Sequence, residues 1–156
     1  MITGTPVSGY GIALSPPPGW EAVIFQRSPA PGETTHPVIH AGNFALPAVR
    51  GDYGSGAVDV MLPGDIFFCL LEFHRSSAGQ ALFASNGRPS QLTAADLSPR
   101  ALQRALPGQA GVQRFFADHG RAFCLYLVVS GPPGRSGLFS GPNQLLQTLQ
   151  VAPTGG

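Results

Sequence analysis

Apolar residues along this chain recur with two periods. In "GYGIALS", Tyr10, Ile12 and Leu14 share one parity while Gly11 and Ala13 share the other, which is the spacing of a half-buried strand. The prolines of "SPPPG" end that strand, because proline gives a ladder no N–H and turns the residue before it away from helix. "WEAVIFQR" resumes the pattern, so the segment from Gly9 to Arg27 is predicted to fold as a hairpin around a structural turn, with Trp20 over the adjoining core. "VIHAGNFALPAV" reads as a strand broken near Gly42 and again at Pro47. In "IFFCLLEFH" both parities are apolar, which predicts a central strand. "VQRFFADHGRAFCLYLVV" is a second hairpin, with Gly120 of "DHG" in the left-handed position of a three-residue loop.

Helical spacing is sparser. Ser55 stands as an N-cap before a short run holding Val58, Met61 and Leu62, which Pro63-Gly64 ends. "LSPRALQRAL" carries the fullest set of helix signals: Ser98 as N-cap, Pro99 at the first helical position, a Leu97/Leu102 staple, and Leu102 one turn from Leu106. "SGPNQLLQTLQV" predicts a helix opened by Pro142, with Leu145 and Leu149 stacked, passing into a last short strand. Strands outnumber helices and mostly pair antiparallel. The predicted class is α+β, with residues 1–156 forming a single domain whose helices pack against a mainly antiparallel sheet.

Length agrees with that reading, since a chain of 156 residues buries roughly 68–70% of its unfolded surface around one core. The two cysteines, Cys69 and Cys124, sit inside apolar strands and are expected as reduced core residues, with a disulfide as the alternative. The opening "MITGTPVSG" lacks the basic and apolar regions of an export signal, and no stretch approaches the length of a membrane span, so a cytoplasmic location without membrane insertion is expected.

The opening "GYGIALSPPPGW", the long late hairpin and the closing "PNQLLQTLQV" resemble the PsbP-like superfamily and its actinobacterial lipoprotein relatives. Domains of that superfamily begin with an aromatic-Pro-Gly-Trp hairpin and end in a helix and a short strand. The resemblance covers most of the chain as an order of elements, and its short motif is the Pro-Gly-Trp turn. It implies a binding or assembly factor on a larger complex, one branch engaging a small GTPase, and it brings no catalytic set to transfer.

Composition removes several chemistries. All nine basic residues are arginine, so Schiff-base, phosphate-loop and nucleophilic lysines are excluded. Those arginines are scattered and the formal net charge is +1, which is no nucleic-acid footprint. His36 and His40 would share one face of a strand, but Pro37 interrupts it and no cysteine or carboxylate completes a metal set. "GDYGSG" has the glycines of a phosphate cradle without its Lys-Ser/Thr signature, and reads as a turn feeding a short helix. Glu72 ends an apolar strand and is expected to emerge into water beside His74 and Arg75.

With no catalytic residue, metal site or cofactor signalled, the first expectation is a non-catalytic interaction or assembly module, an accessory subunit or adaptor. Recognition would lie in the loops "SPAPGETTHP", "GDYGSG" and "SGPPGRSG", with Arg27, Tyr53 and Arg135 as contact residues for a protein partner. The alternative is a small enzyme or ligand-binding protein with a pocket between sheet and helices that uses His40, Glu72 and His74. A homo-oligomeric structural protein is the third reading.

Overall fold

The structure, a computed structural model, describes residues 3–48, 51–132 and 134–153. In chain order the strands are β1 (Val7–Gly9), β2 (Ile12–Leu14), β3 (Glu21–Phe25), β4 (Val38–Gly42), β5 (Ile66–Phe73), β6 (Gln109–Asp118), β7 (Arg121–Ser130) and β8 (Gln150–Val151). Among the described residues two α-helices, α1 (Ala81–Ala84) and α2 (Ser140–Thr148), and four 3-10 turns complete the α+β domain. The strands form two antiparallel sheets, one of three strands in the order β1-β2-β8 and one of five in the order β3-β4-β5-β7-β6. Among the described residues no helix is long and apolar enough to cross a membrane.

The large sheet is covered on both faces, which is why β5 and β7 are apolar at both parities. All ten residues of β7 are buried. On its first face Phe68, Leu70, Leu125 and Leu127 meet Leu145 and Leu146 of α2 and the inward side chains Ile12, Leu14 and Val151 of the small sheet. On its second face Val38, Phe67, Cys69, Cys124, Tyr126 and Val128 lie under Ala57 and Val58, with Tyr53, Leu102 and Leu106 packed against them. Burial of such side chains is worth roughly 1.5–3 kcal/mol each, so the two layers together hold the sheet.

Three sequence expectations give way to longer-range contacts. First, "SPPPG" does not close a hairpin: β2 pairs with β1 and β8, while β3 pairs with β4 in the other sheet. The tight turn falls earlier, at Tyr10-Gly11, where both residues are left-handed (φ +54° and +76°). The prolines then carry the chain from one sheet to the other, and Trp20 packs on the start of α2, where a Cβ on Gly141 would lie 2.3 Å from its ring.

Second, Ser55 caps no helix. The segment forms only a 3-10 turn at Val58–Val60 whose N-cap is Ala57, and the carboxylate of Asp59 accepts the N–H of Gly56 instead.

Third, "LSPRALQRAL" makes a single 3-10 turn, Pro99–Ala101. Ser98 does cap it, accepting from Arg100 N, but the turn stops because Ser98 is bridged to Gly111 at the edge of β6. The phenol oxygen of Tyr126 also takes the N–H of Gln103 at 2.6 Å, a donor that a continuing helix would need.

The late hairpin β6–β7 is present as expected, but a two-residue turn closes it instead of the three-residue loop, because Asp118 pairs with Arg121 and both His119 and Gly120 are left-handed. The last helix begins at Ser140, two residues before Pro142. The helix α2 buries Leu145 and is followed by buried Leu149 and the short β8. The break near Gly42 ends β4, and Val49, at the end of the stretch read as a strand, lies outside the described residues.

Candidate functional site

Register places four polar side chains in one row across the second face of the large sheet. His40 on β4 pairs with Cys69 on β5, Cys69 with Tyr126 on β7, and Tyr126 with Gln113 on β6. The neighbouring row runs Val38, Leu71, Cys124, Phe115. Alternation along each strand does this: Cys69, Cys124 and Tyr126 share the parity that faces the loop 51–57.

That loop is fastened to the row by its own main chain. The carbonyl of Asp52 accepts from His40 Nε2 at 2.9 Å and from Cys69 Sγ at 3.1 Å. A carbonyl can only accept, so His40 holds its proton on Nε2. The His40 ring is 1% exposed and meets the rings of Phe25 and Phe67 edge-on, each at 4.9 Å between centroids. Two residues on, Gly54 takes φ +82° and lies so close to Phe67 that a Cβ would stand 2.3 Å from that ring. Glycine is required there on both counts.

Between these anchors Tyr53 projects over the sheet. Its ring meets Tyr126 edge-on at 5.5 Å, and Tyr53 borders two cavities. The larger, of about 240 Å³, is bordered by Arg27, Thr35, His36, Asp52 and Phe73 as well as Tyr53. The smaller, of about 70 Å³, lies toward Val58, Arg104 and Tyr126. Burial pushes the Tyr53 phenol up to about 12, and the thiol of Cys124 up to about 11 despite the amide that Gln113 donates to its sulfur at 3.8 Å. Burial also raises the Cys69 thiol well above its ordinary value. At neutral pH these groups are un-ionised, and they pack and form weak hydrogen bonds within the face. Both thiols are free.

The contact residues expected from sequence are divided between two places. Arg27 and Tyr53 border the same cavity, and Arg27 reaches Glu33 at 2.7 Å and Asp52 at 3.3 Å. Arg135 folds back on the end of β7, donating to the carbonyls of Ser130 and Pro132, and borders neither cavity.

The trio His40, Glu72 and His74 is not assembled. Glu72 has the opposite parity to Cys69, so its side chain lies on the other face of the sheet from His40. It does not emerge into water but is 10% exposed, paired with Arg121 at 2.6 Å. His74 lies just beyond β5 and caps the 3-10 turn Arg75–Gly79, with Nδ1 accepting from Ser76 N. His36 precedes β4 and meets the ring of His74 at 6.0 Å.

The groups that sequence reading passed over are Tyr126, Gln113 and the Asp52 carbonyl. The shared parity of Cys69, Cys124 and Tyr126 was a usable signal, whereas a carbonyl has none. Among the described residues no group of three or more His, Cys, Asp or Glu could hold a metal ion. No family model, curated protein or solved structure matches the chain.

Proposed function

We propose that this chain is a non-catalytic interaction or assembly module that docks on a protein partner through the loop following β4. The observation that carries the proposal is how that loop is held and what it presents. His40 and Cys69 fix it at Asp52, Gly54 seats it on Phe67, and a few residues on it exposes Val60 (56%) and Leu62 (67%) beside the Arg104–Asp59 ion pair. Large apolar side chains held on a rigid loop and flanked by arginine have the make-up of an interface anchor, since little ordering entropy remains to be lost on binding. The formal net charge of +1 supports a protein over a nucleic acid as partner, and the reduced state of both buried thiols supports a cytoplasmic setting. The resemblance to PsbP-like domains, whose members act as binding and assembly factors, points the same way.

A second reading has one observation in its favour. Tyr53 borders two cavities, and a small ligand entering the larger one would meet Arg27 and Tyr53 together.

One comparison separates the two. Replacing Val60 and Leu62 together by aspartate should leave thermal unfolding unchanged and abolish recovery of a stoichiometric cross-linked complex from native extract, whereas Tyr53→Ala should leave the complex in place. Loss of the complex, or of metabolite turnover, only with Tyr53→Ala would replace the docking reading by the ligand reading. Assembly of the purified chain with itself would make the partner a second copy.

A further inference from the structure

We propose that Asn86-Gly87 is a site of spontaneous deamidation that converts this edge of the domain into an anionic, less tightly held form. The pair stands at the lip of a cavity of about 410 Å³ shared with Arg114 and Phe115, in the irregular stretch that follows α1. Both residues are exposed.

The chemistry needs the Gly87 amide nitrogen to attack Cγ of Asn86. Three features allow it. Gly87 has no Cβ to obstruct the approach, and nothing lies within 4 Å of where one would stand. Its N–H donates to no acceptor among the described residues. The Asn86 side chain is held by no hydrogen bond among the described residues, so its amide is free to rotate toward that nitrogen.

The other asparagines provide the contrast within the same fold. Asn43 accepts from Ile66 N at 2.7 Å and donates to Gly64 O at 3.1 Å. Asn143 accepts from Leu92 N at 2.7 Å and donates to Leu92 O at 3.0 Å. Each amide is locked at both ends, and each is followed by a residue with a side chain, Phe44 and Gln144.

In the step itself the Gly87 N–Cγ bond forms and the Cγ–Nδ2 bond breaks. Nδ2 leaves as ammonia, taking the proton given up by the Gly87 amide. Water then opens the five-membered imide at either carbonyl, giving aspartate or its β-linked isomer, with no change of oxidation state. The product places a carboxylate two residues from Arg88 and beside the cavity bordered by Arg114. In the β-linked isomer the carbonyl of residue 86 leaves the main chain. That carbonyl now accepts the N–H of Ala117 at 3.3 Å, the contact that ties this loop to the edge of β6.

The test is to age the folded chain in mildly alkaline buffer and map its peptides by mass. The expected result is release of ammonia with conversion confined to the Asn86 peptide, faster as pH rises, slowed several-fold by Gly87→Val and abolished by Asn86→Gln. The aged fraction should also lose hydrogen-exchange protection at Ala117 N–H. An Asn86 peptide that stays intact in the folded chain but converts in denaturant would overturn the proposal, as would conversion of Asn43 and Asn143 at the same rate.

Discussion

Arg121 and Glu72 form a two-point ion pair inside the fold, with Nη2 2.6 Å from Oε1, Nε 2.8 Å from Oε2, and side chains only 7% and 10% exposed. The other guanidinium N–H groups are also placed, on the carbonyls of Tyr10, Gly11 and Ala152. Tyr10 and Gly11 form the β1–β2 turn and Ala152 follows β8, so one arginine of the large sheet closes the end of the small one. Gly11 makes room for it, since a Cβ there would stand 2.8 Å from Nη1.

Arg121→Met is therefore expected to cost about 3–5 kcal/mol, because it strands a buried carboxylate and the carbonyls of Tyr10 and Ala152 together, while Gly11 O keeps the N–H of Ala152. Glu72→Met in the same background should recover part of that loss by removing the uncompensated charge. Urea unfolding of the single and double variants measures both. A double variant no more stable than Arg121→Met would mean that the backbone contacts, and not the ion pair, carry the effect.

Trp20 and Gly141 give a prediction in which the sign changes. Alanine is favoured over glycine in a helix by about 1 kcal/mol, yet Gly141→Ala should destabilise the protein by about 1–3 kcal/mol because its methyl group would run into the indole. Trp20→Ala alone should cost about 2–4 kcal/mol, less than a fully buried ring would, since Trp20 is only half-buried. In the Trp20→Ala background the Gly141→Ala change should become neutral or stabilising. A double-mutant cycle by thermal unfolding reads the coupling directly.

These two contacts show where sequence reading reached and where it stopped. The strands β5 and β7 and the helix α2 were legible because their apolar spacing is set by the layers that cover them. The Trp20 turn was legible as punctuation, but not as a crossing between sheets, because the residues that receive it, Gly141 above all, lie far along the chain. Ser98-Pro99 is a true start signal, but Tyr126 draws off the Gln103 N–H before a second turn can form. At the site, Tyr53, Arg27 and His40 could be picked out by residue type. Their arrangement could not, since the clamp works through a backbone carbonyl, and Glu72 looked like a strand end because nothing local points to Arg121.

The raised groups on the second face give a stability profile at high pH. Burial lifts Cys124 from an ordinary value of 9.0 to about 11 and Tyr53 from 10.0 to about 12. The unfolded chain loses these protons first, so stability is intact below about pH 9 and falls through the window from about 9 to about 12, with the raised Cys69 thiol of the same face adding to the fall. Cys124→Ala should flatten the lower part of that fall and Tyr53→Phe the upper part. Denaturant midpoints across the alkaline range test it, and a double variant with the wild-type slope would show that other groups set the profile.

The last prediction concerns the clamp on which the docking proposal depends. His40 and Cys69 meet the loop at a single carbonyl, and Gly54 lets it settle on Phe67, so the buried fastening of the loop lies in three side chains beneath it, with the exposed Arg27–Asp52 and Arg104–Asp59 pairs on its surface. His40→Ala removes a buried donor, leaves the Asp52 carbonyl with only a thiol, and opens space between Phe25 and Phe67. A loss of about 2–4 kcal/mol is expected from the missing hydrogen bond and the cavity together. Gly54→Ala acts from above, by strain at a left-handed position and by collision with the ring. If the loop is a local unit fastened at this point, both variants should raise hydrogen exchange across residues 51–62 while β7 stays protected. Partner binding should then weaken even though Val60 and Leu62 are unchanged, because the loop must be ordered again on docking. Exchange that rises equally in β7 would instead make His40 a support of the whole core, and unaltered binding by a loosened loop would remove rigidity from the account of recognition.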